Sequence, residues 1–128
     1  MTDAGRILLV DDDEAVSRVF AKALRREGFS VLATSNAFEA RELFQREPID
    51  LVLSDINMPG MTGVELLQSL RDENLDVPVI LMTGAPDLST ATDAVALGAL
   101  RYLTKPIDIG QFNEVIDAVL SARMRTTP

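Results

Sequence analysis

Apolar, β-prone runs alternate with stretches of helical period five times along this chain, and this alternation constrains the fold more than any other feature. The predicted strands cover residues 6–10, 30–34, 49–54, 77–82 and 100–104. Strands that alternate with helices pack as a parallel sheet with helices on both faces. The third and fourth runs are apolar almost throughout, as expected of strands covered on both sides. We therefore predict an α/β fold with one doubly wound sheet of five parallel strands.

Capping residues and apolar spacing predict the helices between and after these strands. Capping-box pairs stand at Asn36 with Glu39 and at Thr62 with Glu65, and the fourth and fifth helices have Asp87 and Asp108 as expected caps. The predicted apolar faces are Val16, Val19, Phe20, Ala23 and Leu24 in the first helix, Gly63, Leu66, Leu67 and Leu70 in the third, Leu88, Ala91 and Val95 in the fourth, and Phe112, Val115, Ile116, Val119 and Leu120 in the fifth. These faces are expected to cover the sheet.

A chain of 128 residues with only short connections is expected to form one domain. We assign residues 1–122 to this domain and residues 123–128 to a tail or the start of a linker. No apolar run approaches the roughly 20 residues that span a bilayer, and the first residues lack the basic and apolar segments of a signal peptide. A cytoplasmic protein that does not contact membranes is the resulting expectation.

Charge and composition exclude several classes of function. The chain has 20 acidic and 12 basic residues, a net charge of −8, so direct binding to nucleic acid is not expected. It contains no His and no Cys, which excludes zinc sites of the usual kind, thiolate nucleophiles and Ser-His triads. Any chemistry here must use Asp, Glu, Lys, Thr, Ser or backbone groups.

The residues that follow the predicted strands carry the chemical signal. Asp11, Asp12 and Asp13 follow the first strand, Asp55 the third, Thr83 the fourth and Lys105 the fifth. In parallel α/β sheets these strand ends meet at one edge, where ligands bind. Carboxylates about 4 Å apart repel by about 4 kcal/mol per pair at an effective dielectric near 20, so the cluster calls for a cation. Oxygen ligands favour Mg²⁺, Mn²⁺ or Ca²⁺, and adjoining Lys and Thr residues suggest a phosphoryl ligand, which makes Mg²⁺ the first choice.

Four segments of the chain resemble the receiver domains of bacterial two-component response regulators. They are residues 9–12 (LVDD), 55–63 (DINMPGMTG), 81–83 (LMT) and 102–106 (YLTKP), and they occur in the order and spacing of that family. The resemblance extends from about residue 6 to residue 120. It implies a flavodoxin-like sheet with strand order 2-1-3-4-5.

The resemblance also implies roles for individual acidic residues. Asp55 would be the phospho-acceptor, which takes its phosphoryl group from the phosphohistidine of a sensor histidine kinase or phosphotransfer protein. The metal ligands would be the carboxylates of Asp12 and Asp55 and the backbone carbonyl of Asn57, with Asp11 assisting through water. Asp13 is better explained as the cap of the first helix.

The remaining implied roles concern catalysis and switching. Lys105 and Thr83 would contact phosphoryl oxygens, and Tyr102 would change rotamer as Thr83 moves. The Lys105–Pro106 bond would be cis. The face formed by the fourth helix, fifth strand and fifth helix would then change shape and act on an output domain or effector protein, or form a homodimer. Such a protein is a signalling switch that promotes only its own phosphorylation and dephosphorylation, not an enzyme with a separate substrate.

Three other functions fit the same fold. An aspartyl-phosphate phosphatase would use a second Asp, two residues after the nucleophile, as a general acid; this chain has Asn57 at that position. A flavin mononucleotide carrier would place a phosphate-binding loop after the first strand, where three aspartates would repel the phosphate. A receiver-like module that binds proteins without phosphorylation is the remaining alternative, against which the full set of Asp, Thr and Lys residues speaks.

Overall fold

A computed structural model describes residues 5–73 and 75–125 of the chain. The strands are β1 (Arg6–Val10), β2 (Ser30–Thr34), β3 (Leu51–Asp55), β4 (Val79–Thr83) and β5 (Arg101–Thr104). The helices are α1 (Glu14–Arg26), α2 (Ala37–Arg46), α3 (Gly63–Asp72), α4 (Leu88–Ala96) and α5 (Ile109–Arg125). All strand pairs are parallel and the order is β2-β1-β3-β4-β5. The predicted fold class, strand number and strand order are confirmed.

The last three strands start later than predicted, for local reasons. Residues 49–50 precede β3; the Asp50 N–H still bonds the Arg6 carbonyl, but the Arg6 N–H bonds the Asp50 carboxylate rather than a backbone carbonyl. Residues 77–78 precede β4, where Pro78 has no N–H to donate. β3 and β4 each extend one residue further than predicted, so Asp55 and Thr83 are the last residues of their strands.

The two faces of the sheet carry separate cores, as the period-2 alternation of a strand requires. Ile7 and Leu9 of β1 point to the face covered by α1 and α5, while Leu8 and Val10 point to the face covered by α2, α3 and α4. On the first face the rings of Phe20 and Phe112 lie 5.0 Å apart. The three central strands are buried on both faces, which leaves their carboxyl ends as the place where polar side chains gather.

The apolar face predicted for α1 is partly wrong. Val19 is 60% exposed, whereas Ser17 is buried in its place. The buried face runs through Ser17, Phe20, Ala21 and Leu24, of which Phe20 and Leu24 are as predicted. Val19 lines a groove of about 540 Å³ between α1 and the segment after β5, which explains its exposure.

The apolar face predicted for α4 is also wrong. Leu88 is 83% exposed and Val95 is 75% exposed, Ala91 is half-buried, and Ala94 is the buried residue of this helix. This helix contacts the core through Ala94, a small side chain that buries little apolar area. The apolar residues of α4 thus form an outward face without a partner in the described chain.

The caps are largely as predicted. Thr62 and Glu65 form a complete capping box at α3, and Asp87 caps α4 through the backbone N–H of Thr90. At α2 only half of the predicted box forms. Asn36 accepts from the Glu39 N–H, but the Glu39 carboxylate binds the Thr34 hydroxyl instead of returning to Asn36.

The final helix begins directly after Asp108, whose carbonyl accepts from the N–H of Phe112. Phe112 and Ile116 are buried as predicted, with Val115 and Val119 beside them, while the side chain of Leu120 lies outside the described part. The helix continues to Arg125, and the division at residue 122 stays a prediction. Among the described residues, no helix combines the length and apolar character needed to cross a bilayer.

At the edge of the sheet formed by the amino ends of the strands, Arg71 of α3 holds two loops together. Its guanidinium donates to four backbone carbonyls, at 2.7–3.3 Å; they belong to Leu75, Val77, Leu97 and Gly98. The first two precede β4, and the last two follow α4. Arg71 therefore ties the carboxyl end of α4 to the core of the domain, and burial lowers the pKa of its guanidinium, an effect that Asp76 opposes.

Candidate functional site

Strand register brings the predicted site residues to one edge of the sheet. The register pairs Val10 with Ser54, Asp55 with Met82, and Thr83 with Thr104. Asp11 and Lys105, each one residue past a strand, are held at the same level by backbone bonds to Thr34 and Thr83. The edge therefore presents these side chains side by side.

Three carboxylates converge at this edge. Asp11, Asp12 and Asp55 each place one carboxylate oxygen within 4.8 Å of the others. Asp11 and Asp55 are buried, and Asp12 is exposed. Asp13 points elsewhere, since its carboxylate accepts from the N–H groups of Ala15 and Val16 and caps α1, as predicted. The site thus contains three of the four neighbouring aspartates.

Lys105 connects two of these carboxylates. Its Nζ lies 2.9 Å from Asp11 Oδ2 and 3.5 Å from Asp55 Oδ2. The peptide bond between Lys105 and Pro106 is cis, as predicted. The ammonium group offsets one of the converging negative charges, which leaves an excess of negative charge at the edge.

The electrostatics of the site follow from this crowding. Burial raises the pKa of Asp55 above its ordinary value of 3.8; Lys105 opposes the rise, the charges of Asp11 and Asp12 add to it, and a bond from the Asn57 backbone N–H opposes it. Burial alone would lower the pKa of Lys105, but hydrogen bonds and charge from Asp11 and Asp55 raise it above 10.5. The Asp55 anion is therefore held at a cost that added positive charge would relieve.

Thr83 is buried beside the acidic cluster, at the end of β4. Its Oγ1 accepts from the Asn57 side-chain amide at 3.0 Å and from the Ala85 N–H at 3.0 Å. The sequence located Thr83 but not the part played by the Asn57 side chain. The spacing of the two residues in the chain gives no sign of this contact, which depends on how the loop after β3 folds.

Tyr102 lies apart from the carboxylates. Its hydroxyl is 2.9 Å from Thr90 Oγ1 and 3.4 Å from the Asp87 backbone N–H, so the ring of this half-buried residue joins β5 to the start of α4. Among the described residues, Tyr102 makes no hydrogen bond to Thr83. The structure places it between the acidic site and α4, and its role as a rotamer switch stays a prediction.

Gly63 positions the chain beneath Asp55. A Cβ at Gly63 would lie 2.4 Å from the Asp55 carbonyl oxygen and 3.1 Å from the Ile56 Cα. The Gly63 N–H donates to the Ile56 carbonyl at 2.9 Å. The sequence placed Gly63 on the apolar face of α3, and the close approach to the backbone of Asp55 could not be found without the fold.

The donor set suits a hard divalent cation. All available side-chain ligands are carboxylate oxygens, and their convergence within 4.8 Å leaves uncompensated negative charge that Lys105 offsets only in part. Mg²⁺ favours such sites, with one or two carboxylates, water and phosphate oxygens. The residues present therefore fit the predicted metal.

Comparison with known proteins agrees with this geometry. Residues 7–117 match the family model of the response regulator receiver domain. The chain is 38% identical to the regulatory protein AtoC of Escherichia coli over 120 residues, which cover 94% of the chain and 26% of AtoC. It thus spans about a quarter of that relative.

Solved structures show the same fold. A CheY-like receiver domain protein from Methanospirillum hungatei superimposes with a TM-score of 0.90 and 30% identity, over 94% of this chain and 97% of the other. The response regulator TrrA of Thermotoga maritima, solved in complex with Mg²⁺-BeF, gives 0.81 and 29%, over 90% and 98%. The chain belongs to the family of response regulator receiver domains of two-component systems.

Proposed function

We propose that this receiver domain accepts a phosphoryl group on Asp55 in a Mg²⁺-dependent reaction and acts as a switch in a two-component phosphorelay. The observation that carries the proposal is the convergence of Asp11, Asp12 and Asp55, with the Lys105 ammonium between two of them. A buried anion flanked by an ammonium and a hydroxyl donor suits phosphoryl transfer, in which positioning and charge neutralisation do most of the work.

In the proposed reaction an Asp55 carboxylate oxygen attacks the phosphorus of the donor, and a P–O bond to Asp55 forms. The bond from phosphorus to the donor breaks, and its electron pair leaves on the imidazole nitrogen of a phosphohistidine or on acetate when acetyl phosphate is the donor. Lys105 and Thr83 donate hydrogen bonds to phosphoryl oxygens. Their positive charge and O–H dipole stabilise the charge that builds up there.

Asp12, Asp55 and the backbone carbonyl of Asn57 would hold Mg²⁺, with Asp11 assisting through water. Bound there, the ion would neutralise negative charge on the carboxylates and on the phosphoryl oxygens. The complex of the similar TrrA receiver with Mg²⁺-BeF supports the same choice of metal here. The chain's own part is to hold these oxygens at one edge and to keep Asp55 buried.

The signal would leave the site through α4, β5 and α5. Phosphorylation adds about 1.5–2 negative charges, which draw Thr83 and Lys105 toward Asp55. Tyr102 joins β5 to the start of α4, so it would follow this movement. Leu88 and Val95 expose apolar surface on α4, and a partner that prefers the altered face would shift the equilibrium further.

Partners are proposed by class. The phosphoryl donor would be a sensor histidine kinase or phosphotransfer protein. The output would be a further domain or an effector protein, and a homodimer is an additional outcome of phosphorylation. AtoC is named a regulatory protein, and the chain matches only 26% of its length. This supports an output function that lies in a part of the protein outside the receiver domain.

Acetyl phosphate tests the proposal directly. The protein is incubated with acetyl phosphate and Mg²⁺, and intact mass is followed for the parent, for Asp55→Asn and for the surface control Asp117→Asn. We expect one added phosphoryl group in the parent and the control, and none in Asp55→Asn or with excess EDTA. A folded parent that gains no mass would refute the proposal and favour a module that binds proteins without phosphorylation.

A further inference from the structure

Asn57 contacts both Asp55 and Thr83. Its backbone N–H opposes the rise in the pKa of Asp55, and its side-chain Nδ2 lies 3.0 Å from Thr83 Oγ1. Asn57 is exposed as a residue, yet its amide reaches a hydroxyl that is almost fully buried. The side chain therefore links the loop after β3 to the end of β4, beside the reacting group.

The hydrogen bonds of the Thr83 hydroxyl determine which of its bonding positions stays available. A hydroxyl oxygen offers two acceptor positions and one O–H donor. Both acceptor positions of Thr83 are used, one by the Asn57 amide and the other by the Ala85 N–H, each at 3.0 Å. Because both partners are donors, neither can take the hydroxyl proton. The O–H is therefore left as a donor for another group.

We propose that the Asn57 carboxamide is a positioning residue that holds the Thr83 side chain in one rotamer before phosphorylation and leaves its O–H unpaired, so that this donor is available to a phosphoryl oxygen on Asp55 when Thr83 is drawn toward it. This inference rests on the proposed function of Asp55. Asn57 prepares the hydroxyl through its side chain, independently of the metal ligand that its backbone carbonyl would supply. If the Asn57 amide instead lies at the surface without positioning Thr83, its removal should not change the Thr83 side chain.

The first test uses the unphosphorylated protein without metal. Three-bond couplings to the Thr83 Cγ2 report its χ1 angle by NMR, and the Ala85 amide proton reports the second hydrogen bond. Asn57→Ala removes the donor, and Asn57→Asp keeps the shape but turns the donor into an acceptor. We expect Thr83 couplings that indicate one rotamer in the parent and averaged values in Asn57→Ala, with a shift of the Ala85 amide. In Asn57→Asp the Thr83 hydroxyl can donate to the new carboxylate, so the rotamer should persist there. Unchanged Thr83 couplings in Asn57→Ala would overturn the inference.

The second test is a double-mutant cycle on the rate of phosphorylation by acetyl phosphate. Asn57→Ala is measured with Thr83 present and in a Thr83→Val background, which has no hydroxyl to position. We expect a loss of about 2- to 12-fold with Thr83, the usual worth of one neutral hydrogen bond, and no further loss with Val at this position. Equal losses in the two backgrounds would overturn the inference.

The two failures are distinguishable. If Asp55 is not the acceptor, either the parent gains no phosphoryl mass or Asp55→Asn gains it as well, but the NMR couplings still decide whether Asn57 positions Thr83. If Asn57 has no such role, the parent is phosphorylated while the couplings of Thr83 stay the same in Asn57→Ala.

Discussion

Gly63→Ala tests whether the close approach of α3 to Asp55 builds the site. The added Cβ would lie 2.4 Å from the Asp55 carbonyl oxygen, whereas ordinary contact begins at 3.4 Å. The two segments must separate by about 1 Å, because both atoms belong to rigid parts of the chain. That separation also strains the bond from the Gly63 N–H to the Ile56 carbonyl.

The expected cost combines overpacking, about 1–3 kcal/mol, with most of one hydrogen bond, about 0.5–1.5 kcal/mol. The better helix propensity of Ala offsets up to about 1 kcal/mol. These contributions lower the free energy of unfolding by about 0.5–4.5 kcal/mol, and a central value of about 2.5 kcal/mol would lower Tm by about 8–12 °C. Misplacing the Asp55 carboxylate by about 1 Å would slow phosphorylation by about 100-fold.

Urea denaturation followed by circular dichroism measures the first effect, and intact mass after acetyl phosphate treatment measures the second. Gly84→Ala is the matched control, because a Cβ there has no atom within 4 Å apart from its two neighbours in the chain, and its stability should stay within about 1 kcal/mol of the parent. A Gly63→Ala protein with the stability and phosphorylation rate of the parent would show that α3 can shift without moving Asp55.

Three further predictions concern charge. Folding raises the pKa of Asp55, so the ionised carboxylate lowers the stability of the folded protein above that pKa and has no such effect below about pH 3.8. Asp55→Asn should therefore stabilise the metal-free protein at about pH 7. Urea denaturation should show that this difference in stability vanishes as the pH falls toward 3.8. Lys105→Met leaves the buried Asp11 carboxylate without its cation and should cost about 2–4 kcal/mol in EDTA. Mg²⁺ at 100 times its Kd would raise the stability of the variant by about 2.7 kcal/mol over its own metal-free form; equal stability of variant and parent in EDTA would contradict this. Arg71→Met removes the donor to four carbonyls and should lower the free energy of unfolding by about 2–4 kcal/mol. The control Arg101→Met, at an exposed position, should change it by no more than about 0.5 kcal/mol. Similar losses of stability in the two variants would refute the view that Arg71 holds the two loops together.

The parts of the fold that follow from periodicity could be predicted from the sequence. Five strands, five helices and the aspartates that follow β1 and end β3 are local patterns, and they place Asp11 and Asp55 at one edge once the sheet is parallel. Strand order came from the family resemblance, because local patterns do not say which strands are neighbours.

Contacts that depend on packing could not be predicted. Val19 and Leu88 satisfy a helical apolar pattern, yet both are exposed, while the small residues Ser17 and Ala94 are buried in their helices. The bond from the Asn57 amide to Thr83 likewise joins residues 26 positions apart and depends on the loop after β3.

Because Arg71 anchors the carboxyl end of α4, a movement of this helix is expected to be a tilt about that end. Its nine residues span about 13 Å at 1.5 Å per residue, so a tilt of about 10° about the anchored end would displace the amino end by about 2 Å. The chain has no cysteine, which allows spin labels at Ser89→Cys or Ala96→Cys, each paired with a label at Gln68→Cys on α3. Phosphorylation should change the distance from residue 89 more than the distance from residue 96, and equal changes would mean that α4 shifts as a whole. A domain built this way would deliver its signal at the tip of α4 nearest the phosphoryl group, while the far end stays fixed to the core.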